Sequence, residues 1–454
     1  MGVKYLGGTH MSNNQLIESD EVKNVPKLRF TEFDNDEEWE IKPFNSLYEF
    51  KTTNTFSRDF LNYETGSIKN IHYGDIHTKF STLFNLEKEN VPFVNQSVNL
   101  TRISDENYCK EGDLVFADAS EDLKDVGKHI EIINLNNEKV LSGTHTLLAR
   151  KIKHEIITGF AGFLFNSTSI REQIQKEAQG TKVLGISGTR LANIQIYFPK
   201  SKAEQQKIAA CLSSLDELIQ NESSKLTAYK QHKDGLLQRF FPKNGESLPT
   251  LRFNEFNKDW ESIELSKIAK PVKKKNTDQN KVLVLSLSNE YGLVSQVDYF
   301  QKKIAGDNTG KYIVLQKNDF VYNDRITKNS TYGTIKRLSL YEEGIVSPIY
   351  KCFRFEKNQN PVFWEYFFES KSHENEIRQI INEGARAGRY NISTDSFLSI
   401  NVMLPSHLEQ EKIASCLTSL DETITSQNNY IECLKEHKKG LMQQLFPVLK
   451  DVSA

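Results

Sequence analysis

Mostly apolar side chains recur at alternating three- and four-residue intervals in two long stretches of this chain, and the rhythm is the same in both. In the first stretch the positions are Ile208, Leu212, Leu215, Ile219, Glu222, Leu226, Tyr229, Lys233 and Leu236. In the second they are Ile413, Leu417, Leu420, Ile424, Gln427, Ile431, Leu434, Lys438 and Leu441. A seam kept up for about four heptads predicts a long helix that buries one stripe against a partner helix. Each helix of roughly 37 residues spans about 55 Å at 1.5 Å per residue. Acidic residues near the starts (Glu204, Glu409) and basic ones near the ends (His232, Lys233, His437, Lys438, Lys439) suit the helix dipole. Phe241-Pro242 and Phe446-Pro447 are expected to stop the two helices.

Two such helices in one chain bury both seams if they pair with each other. Related by a pseudo-twofold axis, they run antiparallel, so Glu222 faces Gln427, Ile208 meets Leu441 and Leu236 meets Ile413. A polar layer at the centre of an apolar seam fixes register at a cost in stability. The alternative is that each helix packs on its own globule or on another subunit.

Outside the helices the pattern shortens. Leu114 to Ala117, Ile130 to Ile133, Val282 to Leu287 and Ile313 to Leu315 read as strands. Ser169 to Ala178 and Phe363 to Ile381 read as helices. The fold class is therefore α+β: two similar globules separated by two long antiparallel coiled-coil helices.

The globules repeat as well. Pro26-Lys-Leu-Arg-Phe-Thr-Glu-Phe33, leading to Trp39-Glu40, returns as Pro249-Thr-Leu-Arg-Phe-Asn-Glu-Phe256, leading to Trp260-Glu261. Glu204-Gln-Gln-Lys-Ile-Ala returns as Glu409-Gln-Glu-Lys-Ile-Ala, and 204–242 aligned with 409–447 without gaps gives about 20 identities in 39 positions. Weaker echoes lie between. Gly112-Asp-Leu-Val-Phe-Ala-Asp118 resembles Asn318-Asp-Phe-Val-Tyr-Asn-Asp324, and Ile186-Ser187 and Ile392-Ser393 each precede a strand ending in Pro199 or Pro405. A period above 200 residues means two copies of a domain plus helix, because solenoid units run only about 20–50 residues.

Composition narrows the classes. The 454 residues are 38% hydrophobic and 26% charged, enough for two or three folded domains. Basic and acidic residues nearly cancel (58 against 60), so any case for nucleic acid rests on local patches. No stretch approaches the roughly 20 apolar residues of a spanning helix, and the first residues lack the apolar core of a signal peptide. Residues 1–10 read as an added leader, or Met11 as an alternative start. Five cysteines without a Cys-x-x-Cys pair suit a reducing compartment better than a disulfide framework.

Catalytic signatures are missing. Gly310-Lys311 is followed by Tyr312 and Gly127-Lys128 by His129, so neither is a phosphate loop. His72 and His77, five apart around Gly74-Asp75, are poorly spaced for a shared metal, and the metal assignment is none. Triplets such as Asp122-Leu-Lys124 and Glu40-Ile-Lys42 are expected by chance at this charge density. The catalytic assignment is likewise none.

What remains is a candidate for reading. Two unlike heads at a set spacing suit two unlike half-sites on DNA, with Arg and Lys matched to guanine and Asn and Gln to adenine. In the first head the candidates are His72, Tyr73, Asp75, His77, Lys79, Ser120, Thr144, His145, Lys182 and Arg190. In the second they are Asn323, Arg325, Lys328, Asn329, Tyr332, Lys336 and Arg337, with Arg386, Arg389 and Tyr390 from a Gly-rich loop. Lys273-Lys274-Lys275 reads as solvated or phosphate-facing surface.

With both openings, the proline before each Glu-Gln-x-Lys-Ile-Ala helix and the Lys-x-His-Lys-x-Gly-Leu-x-Gln run before each Phe-Pro, the chain resembles the specificity subunit of type I restriction–modification systems across residues 25 to 447. The resemblance implies a leader (1–24), a first DNA target-recognition domain (25–200), a first conserved helix (201–242), a second recognition domain (243–405), a second helix (406–447) and a tail (448–454). It implies double-stranded DNA, two methyltransferase and two restriction/translocase subunits as partners, in the cytoplasm of a bacterium and associated with its nucleoid. This chain would hold no cofactor; S-adenosylmethionine, ATP and Mg would reside on the partners, as would adenine methylation, translocation and cleavage. The competing reading is a non-catalytic coiled-coil scaffold with two protein-binding heads.

Overall fold

In a computed structural model, which describes residues 24–243, 246–300, 308–328, 330–381 and 388–448, both long helices form: Lys202–Phe240 and His407–Gln444. The expected leader lies outside the described residues, apart from Asn24. Every position of both seams is buried or half-buried, while the residues between them are mostly exposed. The chain divides into two units, one ending at Gln220 and resuming at Glu432, the other Asn221–Ile431. Each unit therefore contains one globule, the beginning of one long helix and the end of the other.

In the first unit, Ile208 and Leu212 share a core with Leu441, Leu445 and Phe446, so the two helix segments run antiparallel. An ion pair between Lys438 and Asp216 at 2.5 Å flanks that seam, with the ammonium 5.4 Å from the Phe163 ring centroid. The second unit repeats the plan with the helices exchanged: Ile413 and Leu417 pack with Leu236, Leu237, Phe240 and Phe241, and Lys233 pairs with Asp421 at 2.8 Å and lies over the Tyr366 ring. The two Phe-Pro segments do more than end helices. Phe446 packs edge-on against Trp39 at 6.0 Å, and Phe241 meets Phe363 at 5.4 Å, so each phenylalanine enters the globular core of its unit.

The repeated openings are fixed by one repeated clamp. Arg29 donates through Nε and Nη2 to the two carboxylate oxygens of Glu204 at 2.8 and 2.7 Å; Arg252 does the same to Glu409 at 2.8 Å on both arms. Both glutamates are buried, so the fork-to-carboxylate geometry satisfies charges that would otherwise be costly. Beside them Gln205 and Gln410 bridge to the main chain at Pro199 and Pro405, which fixes where the strand ends and the helix begins. Those strands, Gln195–Phe198 and Asn401–Leu404, pair antiparallel with Glu40–Pro43 and Glu261–Glu264.

The first globule is built on a five-stranded sheet in the order Tyr48–Lys51, Thr146–Lys151, Leu114–Ala117, His129–Asn134, Leu83–Asn85, beside a four-stranded sheet. The second has a four-stranded sheet in the order Ala269–Pro271, Lys351–Phe355, Phe320–Asn323, Thr334–Arg337. Within each sheet the strand Leu114–Ala117 or Phe320–Asn323 is interior, and all four residues of the first and the first three of the second are buried. An aspartate fixes each strand's entry: Asp113 is bound by Arg150 and Asp319 by Arg354. Thr168–Glu177 forms the expected helix, but Phe363–Ile381 does not run unbroken. It is two helices, Pro361–Glu369 and Glu374–Ile380, parted where Lys371 takes a φ of +66°. The second begins so that His373 turns inward onto Phe367 and Phe368, and that burial outweighs helical continuity.

Candidate nucleic-acid interface

In the first head the chain supplies a short helix, Tyr73–Thr78, whose N-cap is His72: its Nδ1 accepts the Gly74 amide at 3.1 Å. The Tyr73 ring sits at the centre of three imidazoles, 4.7 Å from His72, 6.3 Å from His77 and 5.3 Å from His145. Asp75 is fully buried beneath them and takes Arg58 at 2.8 Å and Lys79 at 3.0 Å. Burial alone would raise its carboxyl, but the two cations outweigh it and hold it below the usual carboxylate range. Burial, with the nearby Arg58 charge, lowers His72, so that ring is neutral at pH 7.

The expected residues thus separate by role. His72, Tyr73, Asp75, His77, Lys79 and His145 come together around Tyr73. Of these, His72 caps a helix, Asp75 neutralises cations, and His77 bonds the Ala119 carbonyl at 3.0 Å; these three are occupied within the fold rather than presented to solvent. His145 is exposed, in a turn with Thr144, and takes a φ of +55°. Ser120 lies on the strand Ala119–Ser120, paired with Leu184–Gly185; Lys182, just before that partner strand, is exposed. Arg190 is tied to Glu177 at 3.2 Å.

In the second head Asp324 is the buried hub. Its carboxylate takes Lys351 at 2.7 Å, the Ile392 amide at 3.0 Å and Arg389 at 3.3 Å. Arg389 also donates to Asn323 at 2.8 Å, and Tyr390 stacks with Tyr332 at 6.4 Å. Tyr332 in turn receives the Tyr322 hydroxyl on its carbonyl at 2.9 Å. Arg325 and Lys328 are exposed, and Lys336 is half-buried on Thr334–Arg337. Arg337 is held by partners within the fold. Its guanidinium is spent on Glu365 at 2.8 Å and Asn318 at 2.6 Å, which pins that strand to the helix Pro361–Glu369. Asn329 and Arg386 lie outside the described residues. Lys273, Lys274 and Lys275 are exposed.

Sequence reasoning missed the residues beneath the candidates: Arg58, Asp118, Asp324 and Lys351. Asp118 lies 3.3 Å from His145 and ends the strand segment that echoes the one ended by Asp324. That matched position in the repeat was the available signal for both aspartates. Arg58 and Lys351 carried none, because each is placed by tertiary contact alone.

The chain matches the family model described as the type I restriction modification DNA specificity domain twice, over residues 36–228 and 257–436. It is 25% identical over 338 residues to the type I restriction enzyme MjaVIII specificity subunit of Methanocaldococcus jannaschii, covering 70% of this chain and 76% of that protein. The crystal structure of a type I restriction–modification system S subunit from M. genitalium covers 94% of this chain and 100% of its own, with a TM-score of 0.52 and 15% identity. A second structure, described under the complex assembly and conformational transition of the type I R-M system, covers 90% of this chain and 97% of its own, with a TM-score of 0.53 and 13% identity.

Proposed function

The chain belongs to the type I restriction–modification DNA specificity family, and from that premise we propose that its two heads each read one half of a split, asymmetric DNA sequence. It is the specificity subunit, the non-catalytic member of such a system. In this reading residues 25–200 and 243–405 are the target-recognition domains. Residues 201–242 and 406–447 set the spacing between half-sites and dock the methyltransferase subunits, with 1–24 a leader and 448–454 a tail. The complex carries two modification and two restriction subunits and works in the bacterial cytoplasm, on the nucleoid.

The observation that carries this proposal is the unequal repeat. The clamp, the paired helices and the buried strand recur at matching positions, whereas the polar surfaces above them do not. One head presents His145 beside the Tyr73 ring, the other Arg389 bonded to Asn323, with Tyr332 and Tyr390 stacked on each other. A scaffold that mates with like partners has no need to differ there, but a reader of two unlike half-sites does. Near-zero net charge is compatible with DNA if the other subunits supply most phosphate contacts.

The test is protection of DNA by the purified chain with its modification subunits. A specificity subunit protects one asymmetric bipartite sequence, and its protection fails on duplexes altered in either half. Equal binding to site and non-site DNA would favour the scaffold.

A further inference from the structure

Asp118 and Asp324 occupy the same place in the repeat, directly after the central strand of each head, yet they hold different side chains. Asp118 holds an imidazole: His145 Nδ1 lies 3.3 Å from its Oδ1. Among the described residues that buried oxygen makes no well-aligned hydrogen bond, the imidazole standing at ion-pair distance only. A buried carboxylate oxygen in this state favours a donor closing onto it. Asp324 holds a guanidinium: Arg389 Nη1 lies 3.3 Å from Oδ1, with Asn323 Oδ1 at 2.8 Å from the same nitrogen. In both heads the held side chain reaches toward solvent, 59% exposed for His145 and 26% for Arg389, while the Asp324 side chain is buried and that of Asp118 is partly so.

We propose that this repeated aspartate is the post on which each head mounts a base-reading side chain: His145 on Asp118 in the first head, Arg389 on Asp324 in the second. The chemistry then follows from the anchor. A carboxylate can only accept, so the neutral His145 ring carries its proton on Nδ1 and presents Nε2 as an acceptor. An acceptor in the major groove reads an exocyclic amine, N6 of adenine or N4 of cytosine. Among the described residues Arg389 bonds through Nη1, and its Nε and Nη2 edge matches O6 and N7 of guanine. The turn at His145 supports the assignment, because a non-glycine residue at a φ of +55° is a strained conformation that the surrounding structure must hold. The Tyr73 ring, edge-on at 5.3 Å, closes one side of the imidazole and limits its rotation.

The inference rests on the reading of the two heads as DNA recognition domains, and the experiment separates the two. The chain, assembled with its modification subunits, selects from a duplex library in which all positions are randomised, and the bound sequences define two half-sites. His145→Ala then relaxes one adenine- or cytosine-specific position in one half-site by about tenfold to a hundredfold, leaving the other half-site unchanged. His145→Gln, whose amide oxygen sits where Nε2 does, restores most of that discrimination. Asp118→Ala relaxes the same position more weakly, as a positioning residue should. Arg389→Ala relaxes one guanine position in the opposite half-site. The unaltered head in each variant reports that the chain is folded and assembled. Uniform weakening across a half-site, an unchanged preference at every position, or no rescue by glutamine would overturn the assignment. If the unaltered complex selects no bipartite sequence at all, the recognition reading itself fails.

Discussion

Gln427 donates its side-chain amide to Glu222 twice, to the main-chain carbonyl at 3.2 Å and to the carboxylate at 2.5 Å, in the middle of the seam where the two long helices cross from apolar to polar. Gln427 is buried, and Glu222 is half-buried with Lys225 3.5 Å from the same carboxylate oxygen. Removing the amide takes a donor from both the main-chain carbonyl and the carboxylate of half-buried Glu222. Gln427→Ala is expected to lower unfolding free energy by about 1–3 kcal/mol. Replacing both residues with leucine should be neutral or stabilising by about 1–4 kcal/mol, at the expense of register. Denaturant unfolding of the two variants checks the sign of the difference.

The repeated clamp gives a second expectation. Glu409→Ala leaves the Arg252 guanidinium, only 14% exposed, without its carboxylate. The cost is about 3–5 kcal/mol, and Glu204→Ala should match it because Arg29 is held in the same way. Arg252→Lys does not rescue, since an ammonium cannot make the two parallel bonds. Thermal unfolding of the three variants measures this.

Acid should act unequally on the two units. In the second, burial, aided by Lys371, pushes the His373 ring down to about 3. The folded state therefore binds fewer protons than the unfolded one below about pH 6.5, and stability present above that pH is lost as pH falls toward 3 at about 1.4 kcal/mol per unit. In the first unit burial likewise lowers His129 to about 3, but burial raises the neighbouring Glu131 to about 7. Glu131 gains stability as pH falls from about 7 toward its ordinary value, so the two offset. His373→Leu should flatten the pH dependence of the second unit between pH 7 and 5 by about 2 kcal/mol, while His129→Leu alone should make the first unit gain stability on mild acidification. Unfolding followed by hydrogen exchange in each unit distinguishes them.

Two arginines of the second head should part company. Arg325 is exposed, and among the described residues its side chain makes no ion pair; Arg325→Ala is expected to weaken DNA binding, reduce its salt dependence by about one phosphate contact and leave melting unchanged. Arg337→Ala should instead lower the melting temperature, because Glu365 and Asn318 lose their donor. Binding isotherms at several salt concentrations, beside thermal scans, show which behaviour each follows.

The helices were legible because a seam is a local, periodic signal: Ile208 to Leu236 and Ile413 to Leu441 announce themselves without tertiary knowledge. Pairing across the seam was legible too, since the repeat fixed which residue faces which, as Glu222 and Gln427 show. The heads were less so. Their strands were found where four apolar residues ran together, as at Leu114–Ala117, but the break at Lys371 depends on the packing of His373 against Phe367 and Phe368, which no local pattern encodes. The same limit applies to the candidate surface. Charge and polarity marked Arg337 and His145 alike, and only the position of Glu365 and Asp118 in space divides a residue spent on the fold from one held toward solvent.

The most direct test of a subunit with two unlike heads is sequencing of methylated bases in DNA from a strain that carries this chain with its modification subunits, against one that lacks this chain alone. The account predicts that one new motif is methylated only when the chain is present: two different short half-sites with a spacer of fixed length, in a single asymmetric orientation. A continuous or palindromic motif, or a methylation pattern unchanged by loss of the chain, would contradict it.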